Sequence, residues 1–263
     1  NDQFAAINTW GANVINNSWG YPTLFGGQFI DFEVTAANTL ASQNPGWSNA
    51  QLVSFIHNNY WNEDSDNVEE MVYSTSGSNS DISSTAAGHV TDFVNTAINY
   101  MTNTGVIVWA NSNEDAQTVD VSSGLPVFFT DLQKAWITVI NIDIDGSVIN
   151  SSTATRKSAT CGLAAAWCLG ADGYRVYSAG INDAGTHTYS SAGGTSYASP
   201  MISGAVAILS QAFPNHTPEQ IVDRLLASAN NTFFSHSSNV TFANGVEHGY
   251  NTEFGHGFMA VSY

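Results

Sequence analysis

Gly193-Gly194-Thr195-Ser196-Tyr197-Ala198-Ser199-Pro200 places a serine directly after a glycine-rich turn, and Met201, Ile202, Ala205, Val206, Ile208 and Leu209 follow it. Apolar residues on nearly every side predict a buried helix from Ser196 to Phe213. A hydroxyl in the first turn of a helix sits among free backbone N–H groups at the positive end of the dipole. That setting favours the negative charge of an acyl-transfer intermediate. The pattern departs from the G-x-S-x-G nucleophile elbow, because Ala198 stands where the second glycine belongs, which weakens a lipase or esterase reading. The plain alternative for Ser196 taken alone is an N-cap serine.

Working outward, Thr217-Pro218-Glu219-Gln220 supplies an N-cap, a proline at the first helical position and a capping-box glutamine. Ile221, Val222, Leu225 and Leu226 then make an amphipathic helix. Upstream, Val90, Phe93, Val94, Ala97, Ile98 and Met101 fall on one helical face. After the break at Asn103 to Gly105, Val106 to Trp109 reads as a buried strand ending in small polar residues. Helix, short turn and buried strand form half of a parallel α/β unit. Val14 and Ile15, just before Ser18-Trp19-Gly20, predict another short buried strand. Residues 21 to about 85 read as an insertion with a partly helical middle from Gln51 to Tyr60. Its acidic run, Asn62-Glu63-Asp64-Ser65-Asp66-Asn67, is read as a solvated loop in preference to a calcium site. Trp136 to Ile144 alternates into Asp145-Gly146, a hairpin signal. The string from Asn141 to Gly146 imitates the start of an EF-hand loop, but Ser152 stands where a bidentate glutamate is required, so the calcium reading fails there.

Composition excludes some partners. Five Lys or Arg against 22 Asp or Glu give a formal charge of -17 over 263 residues. The five cations, Lys134, Arg156, Lys157, Arg175 and Arg224, are scattered along the sequence, whereas nucleic-acid binding needs them clustered. Anionic membrane surfaces are disfavoured for the same reason. No apolar run reaches the roughly 18 residues of a membrane span. A 43% hydrophobic fraction with 12% aromatics predicts a substantial core. Cys161 and Cys168 are spaced wrongly for a zinc site or a CxxC motif, which leaves a short-loop disulfide or two buried thiols.

Three ordered motifs resemble the subtilisin-like serine peptidases, closest to the bacterial autotransporter-type subtilases. Gly194-Thr195-Ser196-Tyr197-Ala198-Ser199-Pro200-Met201 resembles the nucleophile motif. Val14 to Gly20 resembles the strand that pairs with the substrate backbone, and Ala110-Asn111-Ser112-Asn113-Glu114 resembles the A-A-G-N-E segment, departing from it at Asn111 and Ser112. Cys161 to Gly173 resembles the stretch before the nucleophile, with Asp172 replacing the usual proline of A-P-G. Phe254-Gly255-His256-Gly257 resembles the closing Y-G-x-G element. The resemblance implies a three-layer α/β/α fold with a mostly parallel sheet. It implies Ser196 as nucleophile and Asn113 as oxyanion donor beside the Ser196 N–H. Ser18, Trp19, Gly20, Ala110, Asn111 and Ser112 would line the substrate cleft and bind a polypeptide as an added strand. It also implies a local disulfide between Cys161 and Cys168, a secreted or surface-displayed bacterial protein, and no required cofactor or metal, with calcium admitted only as structural.

In that family the triad aspartate and histidine precede the substrate strand. This chain holds neither D-[ST]-G nor H-G-T-H, and none of its seven histidines has the required context. His187, a short way before Ser196, reads as a hairpin surface histidine. Residues 1–263 are therefore expected to be the C-terminal portion of one catalytic domain, its first strands and triad partners lying on other polypeptide, and to be nearly inactive alone. A binding module that has lost its base is the alternative. A sedolisin is disfavoured, because Asn113 stands in place of the oxyanion aspartate used there.

Overall fold

The computed structural model describes residues 7, 11–18, 46, 84–120, 122–127, 129–181, 185–243 and 245–260. The expected insertion, its acidic run, and Trp19 and Gly20 lie outside them.

The framework is an α/β sheet. Strand β1 (Val14–Asn17) pairs in parallel with β2 (Val106–Ala110), β2 with β3 (Trp136–Ile144), and β3 with β5 (Cys168–Ala171). Between β3 and β5 in sequence, β4 (Ala154–Arg156) turns back antiparallel on the far end of β3. The hairpin expected after Ile144 is thus present, closed by residues 145–153. β3 itself is not the alternating strand expected. Trp136 to Ile142 are all buried, because a central strand of a mostly parallel sheet is covered on both faces. All five residues of β2 are buried as well. Trp109 and Trp136, neighbours across these strands, stack with centroids 5.2 Å apart.

Helix α1 (Ser84–Asn103) leads into β2 and presents Val94, Ala97 and Met101 to the core, as its periodicity requires. Tyr100, which the apolar count passes over, is buried too and donates its hydroxyl to Ala12 O at 2.7 Å. Helix α2 (Thr195–Ala212) packs across β1, β2, β3 and β5. It is less enclosed than its composition suggests. Ile202, Ala205, Val206 and Leu209 face the sheet and are buried, while Met201, Gly204 and Ile208 form an exposed stripe at helical spacing. Helix α3 (Pro218–Ala227) starts where predicted. The Thr217 hydroxyl accepts from Gln220 N, the Gln220 side chain accepts from Thr217 N, and Ile221, Val222, Leu225 and Leu226 are buried.

Two hairpins complete the described chain: β6 (Val176–Ile181) with β7 (His187–Ala192), and β8 (Ser238–Thr241) with β9 (Glu247–Tyr250). His187 is exposed at the start of β7, where a surface hairpin histidine was expected. Cys161 and Cys168 form a disulfide that closes a 3-10 turn (Gly162–Trp167) directly before β5.

Candidate active site

The carboxyl ends of parallel strands β1 and β2 and the N-terminus of α2 meet at one place. In open parallel sheets that is where ligands bind. Ser196, half-buried in the first turn of α2, donates its hydroxyl to Ser18 O at 3.1 Å, and Ser18 Oγ donates to Ser196 O at 3.2 Å. One turn further on Ser199 donates to Asn16 Oδ1 at 2.7 Å, and two turns on the Ser203 hydroxyl lies 3.0 Å from the same oxygen and 3.1 Å from Ser199 O. Asn16 Nδ2 donates in turn to Ser18 Oγ at 2.7 Å. The strand and the helix are therefore joined by polar side chains as well as by packing. Asn16 and Ser199 lie within the motifs, but their pairing and the part of Ser203 are not visible in the sequence, since the partners are 183 and 187 residues apart.

The first backbone N–H groups of a helix have no partner inside it. Here they divide. Thr195 N donates to Asn113 Oδ1 at 2.8 Å, whereas Ser196 N has no acceptor among the described residues. Asn113 is exposed on the loop after β2, and the Thr195 contact fixes which end of its amide is the acceptor. The Thr195 hydroxyl lies 2.6 Å from Asn111 O and 3.0 Å from Asn113 Oδ1. It has one hydrogen for two acceptors and favours the shorter contact. Gly194 is required just here. Its φ is +140°, and a Cβ would lie 2.8 Å from Asn113 Oδ1.

Asn111 is buried and fully engaged. Its Oδ1 accepts from Asp120 N and from Ser123 Oγ, both at 3.0 Å, and its Nδ2 donates to Thr160 O at 2.9 Å. It braces the loop with both polar atoms of its amide. Ser112 is similarly occupied, donating to Gln117 Oε1 and accepting from Glu114 N, and Ala110 is buried. Of the loop's carboxylates Glu114 and Asp115 are exposed and Asp120 is buried, and burial raises the Asp120 pKa from 3.8 to about 6 against hydrogen bonds from Ser123, Ser122 and Ser112 that lower it.

Behind the nucleophile turn, Gly173 donates to Asn141 Oδ1 at 2.9 Å, and Gly194 N donates to Gly173 O at 2.9 Å. A Cβ on Gly173 would meet Gly194 O at 2.4 Å. Asp172 makes the turn that a proline otherwise imposes, its Oδ1 accepting from Tyr174 N at 3.1 Å. Asn141, the residue that opened the EF-hand imitation, is thus a buried brace between β3 and this turn. Two of the cations scattered in the sequence meet nearby, Lys157 5.1 Å and Arg175 4.8 Å from the centroid of the Tyr174 ring. Among the described residues, no group of three or more His, Cys, Asp or Glu side chains converges as a metal site would require. No described helix is long and apolar enough to cross a membrane.

The sequence profile of the subtilase family matches residues 3–257. The chain belongs to the subtilase family. Serotype-specific antigen 1 of Mannheimia haemolytica is 30% identical over 129 residues, which is 47% of this subtilase chain and 13% of that protein. The autotransporter lipoprotein NalP of Neisseria meningitidis serogroup B is 25% identical over 146 residues, 52% of the chain and 13% of the relative. The matched subtilase region thus spans only about an eighth of each relative's length. Among solved structures, fervidolysin from Fervidobacterium pennivorans, a keratinolytic enzyme related to subtilisin, aligns with TM-score 0.44 at 23% identity, over 68% of this chain and 24% of that one. Sphericase aligns with TM-score 0.46 at 19% identity, over 66% and 53%.

Proposed function

We propose that the chain carries the nucleophile and oxyanion hole of a serine endopeptidase. In this reading Ser196 Oγ attacks the scissile carbonyl to form an acyl-enzyme. The Ser196 N–H and the Asn113 side-chain amide bind the oxyanion. Ser18-Trp19-Gly20 and the end of β2 receive the peptide as an added strand. Asn111 and Ser112 act as braces of that wall, because their side chains are spent on the loop. The observation that supports this most directly is the division of the α2 terminus: the Thr195 N–H anchors Asn113, and the Ser196 N–H is left for a ligand.

A base is still required. Five of the seven histidines have described side chains, and none contacts Ser196, whose hydroxyl is taken by Ser18 O. Because the sequence also holds neither D-[ST]-G nor H-G-T-H, we assign the triad histidine and aspartate to polypeptide outside these residues; the likeness to an autotransporter lipoprotein supports a place at the bacterial cell surface or exterior. Loss of the base in subtilisin lowers the rate by about 10⁶. The isolated chain is accordingly expected to resist a fluorophosphonate probe over hours. Rapid, stoichiometric labelling of Ser196 in the isolated chain would show that the base is within it. The Ser196–Ser18 contact also suits a second reading, a peptide-binding module without catalysis. That reading predicts no labelling in the parent protein either.

A further inference from the structure

Two histidines unused by the site, His248 on β9 and His256 in the closing turn, lie buried against each other at 7% and 0% exposure. His256 Nε2 is 3.0 Å from Ala166 O, inside the disulfide loop. His248 Nε2 is 3.1 Å from Ala229 O, just after α3. A carbonyl only accepts, so each Nε2 must carry a hydrogen. A neutral imidazole has only one N–H, so two neutral rings would each present a bare lone pair at Nδ1. Those two atoms are 3.1 Å apart. The ring centroids are 5.1 Å apart, with 29° between the planes. Both nitrogens therefore lie close to the line joining the centroids, and the lone pairs aim at each other. Asn231 Nδ2 gives one hydrogen to Gly249 O at 2.8 Å and lies 3.5 Å from His248 Nδ1, a contact too long for its second hydrogen to relieve much of this.

Something positive must lie between the two nitrogens. A metal does not fit, because zinc takes at least three protein ligands and, among the described residues, no third His, Cys, Asp or Glu joins the pair. A proton does fit. We propose that His248 and His256 bind one proton between their Nδ1 atoms, forming an imidazolium–imidazole clamp that fastens the closing turn to the disulfide loop and to the end of α3. A charge-assisted hydrogen bond of this kind is stronger than a neutral one. The clamp lies at the foot of the strand that supports the nucleophile turn. His256 N donates to Cys168 O and Met259 N to Gly170 O, and two residues after β5 ends the carbonyl of Gly173 holds Gly194.

The surroundings leave the proton to the pair. Tyr250 packs on His256 with centroids 5.1 Å apart, and Phe242 lies 5.9 Å away. His236 is turned toward Asn231 O at 3.0 Å. Glu247 is exposed, and Glu253 faces Arg156 at 3.6 Å. The disulfide loop has no charged side chain, and from α3 the pair meets the carbonyl that follows it. Burial and the neighbouring His248 hold His256 down at about 4, so the pair refuses a second proton until strongly acid. The first proton is gained on folding. Its contribution is complete below the ordinary histidine value of about 6.5 and is lost as pH rises through the pair's own value.

The test uses the full 263-residue chain. At pH 7.0, ¹⁵N NMR of the histidine side chains should show one of these rings protonated on both nitrogens and the other with a bare Nδ1. The unfolding equilibrium constant should rise about tenfold per pH unit where the native pair keeps its proton and the unfolded chain has lost it. In His248→Gln the side-chain amide can donate to His256 Nδ1 at any pH, and that dependence should vanish. Two neutral rings at pH 7.0, or a variant with the wild-type slope, would overturn the proposal. The NMR reading is made on the unaltered chain and decides the matter even if the variant does not fold.

Discussion

Replacing Gly194 by alanine strikes the turn that holds Asn113 in place. Its backbone, at φ +140°, lies where side chains other than glycine are strained by about 1–3 kcal/mol. The new Cβ would lie 2.8 Å from Asn113 Oδ1 and 3.3 Å from its Cγ and Nδ2, so the side chain must move away. Moving it breaks the Thr195 N–H to Oδ1 bond of 2.8 Å. Such a bond contributes about 0.5–1.5 kcal/mol, and the lower end applies because Asn113 is exposed. The expected loss is about 1.5–3.5 kcal/mol, with each kcal/mol lowering Tm by about 2–4 °C in a chain of this size. Urea unfolding followed by tryptophan fluorescence measures it, since Trp109 and Trp136 stack in the core. Asn113→Ala alone forfeits only the hydrogen bond and should cost under about 1 kcal/mol. The double variant should cost less than the sum of the two, because the clash is gone and only the backbone strain remains. If Gly194→Ala stays within about 0.5 kcal/mol of wild type, the turn is not as described. If Asn113→Ala is as damaging as Gly194→Ala, Asn113 is a structural residue and its functional assignment loses its basis.

Asp120, raised to about 6 by burial, gives stability that is complete near pH 4 and is lost as pH rises through 6, amounting to about 3 kcal/mol. His256, lowered to about 4, acts in the opposite sense over the same window. The wild-type profile should therefore be nearly flat between pH 4 and 6.5, and Asp120→Asn should steepen it, losing stability toward acid in urea titrations. Replacing Cys161 and Cys168 by serine opens a loop with a sequence separation of 7 and should cost about 2–3 kcal/mol, read from the same titrations. Thr217→Ala removes the α3 capping box and should lower stability by about 1 kcal/mol, seen as a shifted urea midpoint at constant slope.

What could be read from the sequence divides by the range of the interaction that decides it. The start of α3 was legible to the residue, because Thr217, Pro218 and Gln220 settle it among themselves. The described part of the α1 stripe was equally plain, since one buried face writes its period into neighbouring residues, and β2 showed as an unbroken apolar run. β3 was misjudged where a hairpin signal at Asp145-Gly146 suggested alternation; a strand covered on both faces has no period to show. The exposed stripe of α2 was hidden by composition, because Met201 and Ile208 are as apolar as the residues beneath them. The site was legible as three separate motifs, but not as a set of contacts. The anchoring of Asn113 by Thr195 N, the use of Asn16 by Ser199 and Ser203, and the withdrawal of Asn111 into the loop all join residues far apart in the chain. The histidine clamp was invisible for the same reason. His256 stood out only as part of a closing glycine motif, and its partner carried no signal at all.

The central claim is that Ser196 is the nucleophile and that its base comes from outside these residues. It is tested most directly by treating the parent protein, with this chain in place, with a fluorophosphonate and mapping the labelled peptide. A label is expected on Ser196 that is absent in Ser196→Ala and forms about 10²–10³ times more slowly in Asn113→Ala, as loss of one oxyanion donor does. A label on a different serine, or one that survives Ser196→Ala, would contradict it.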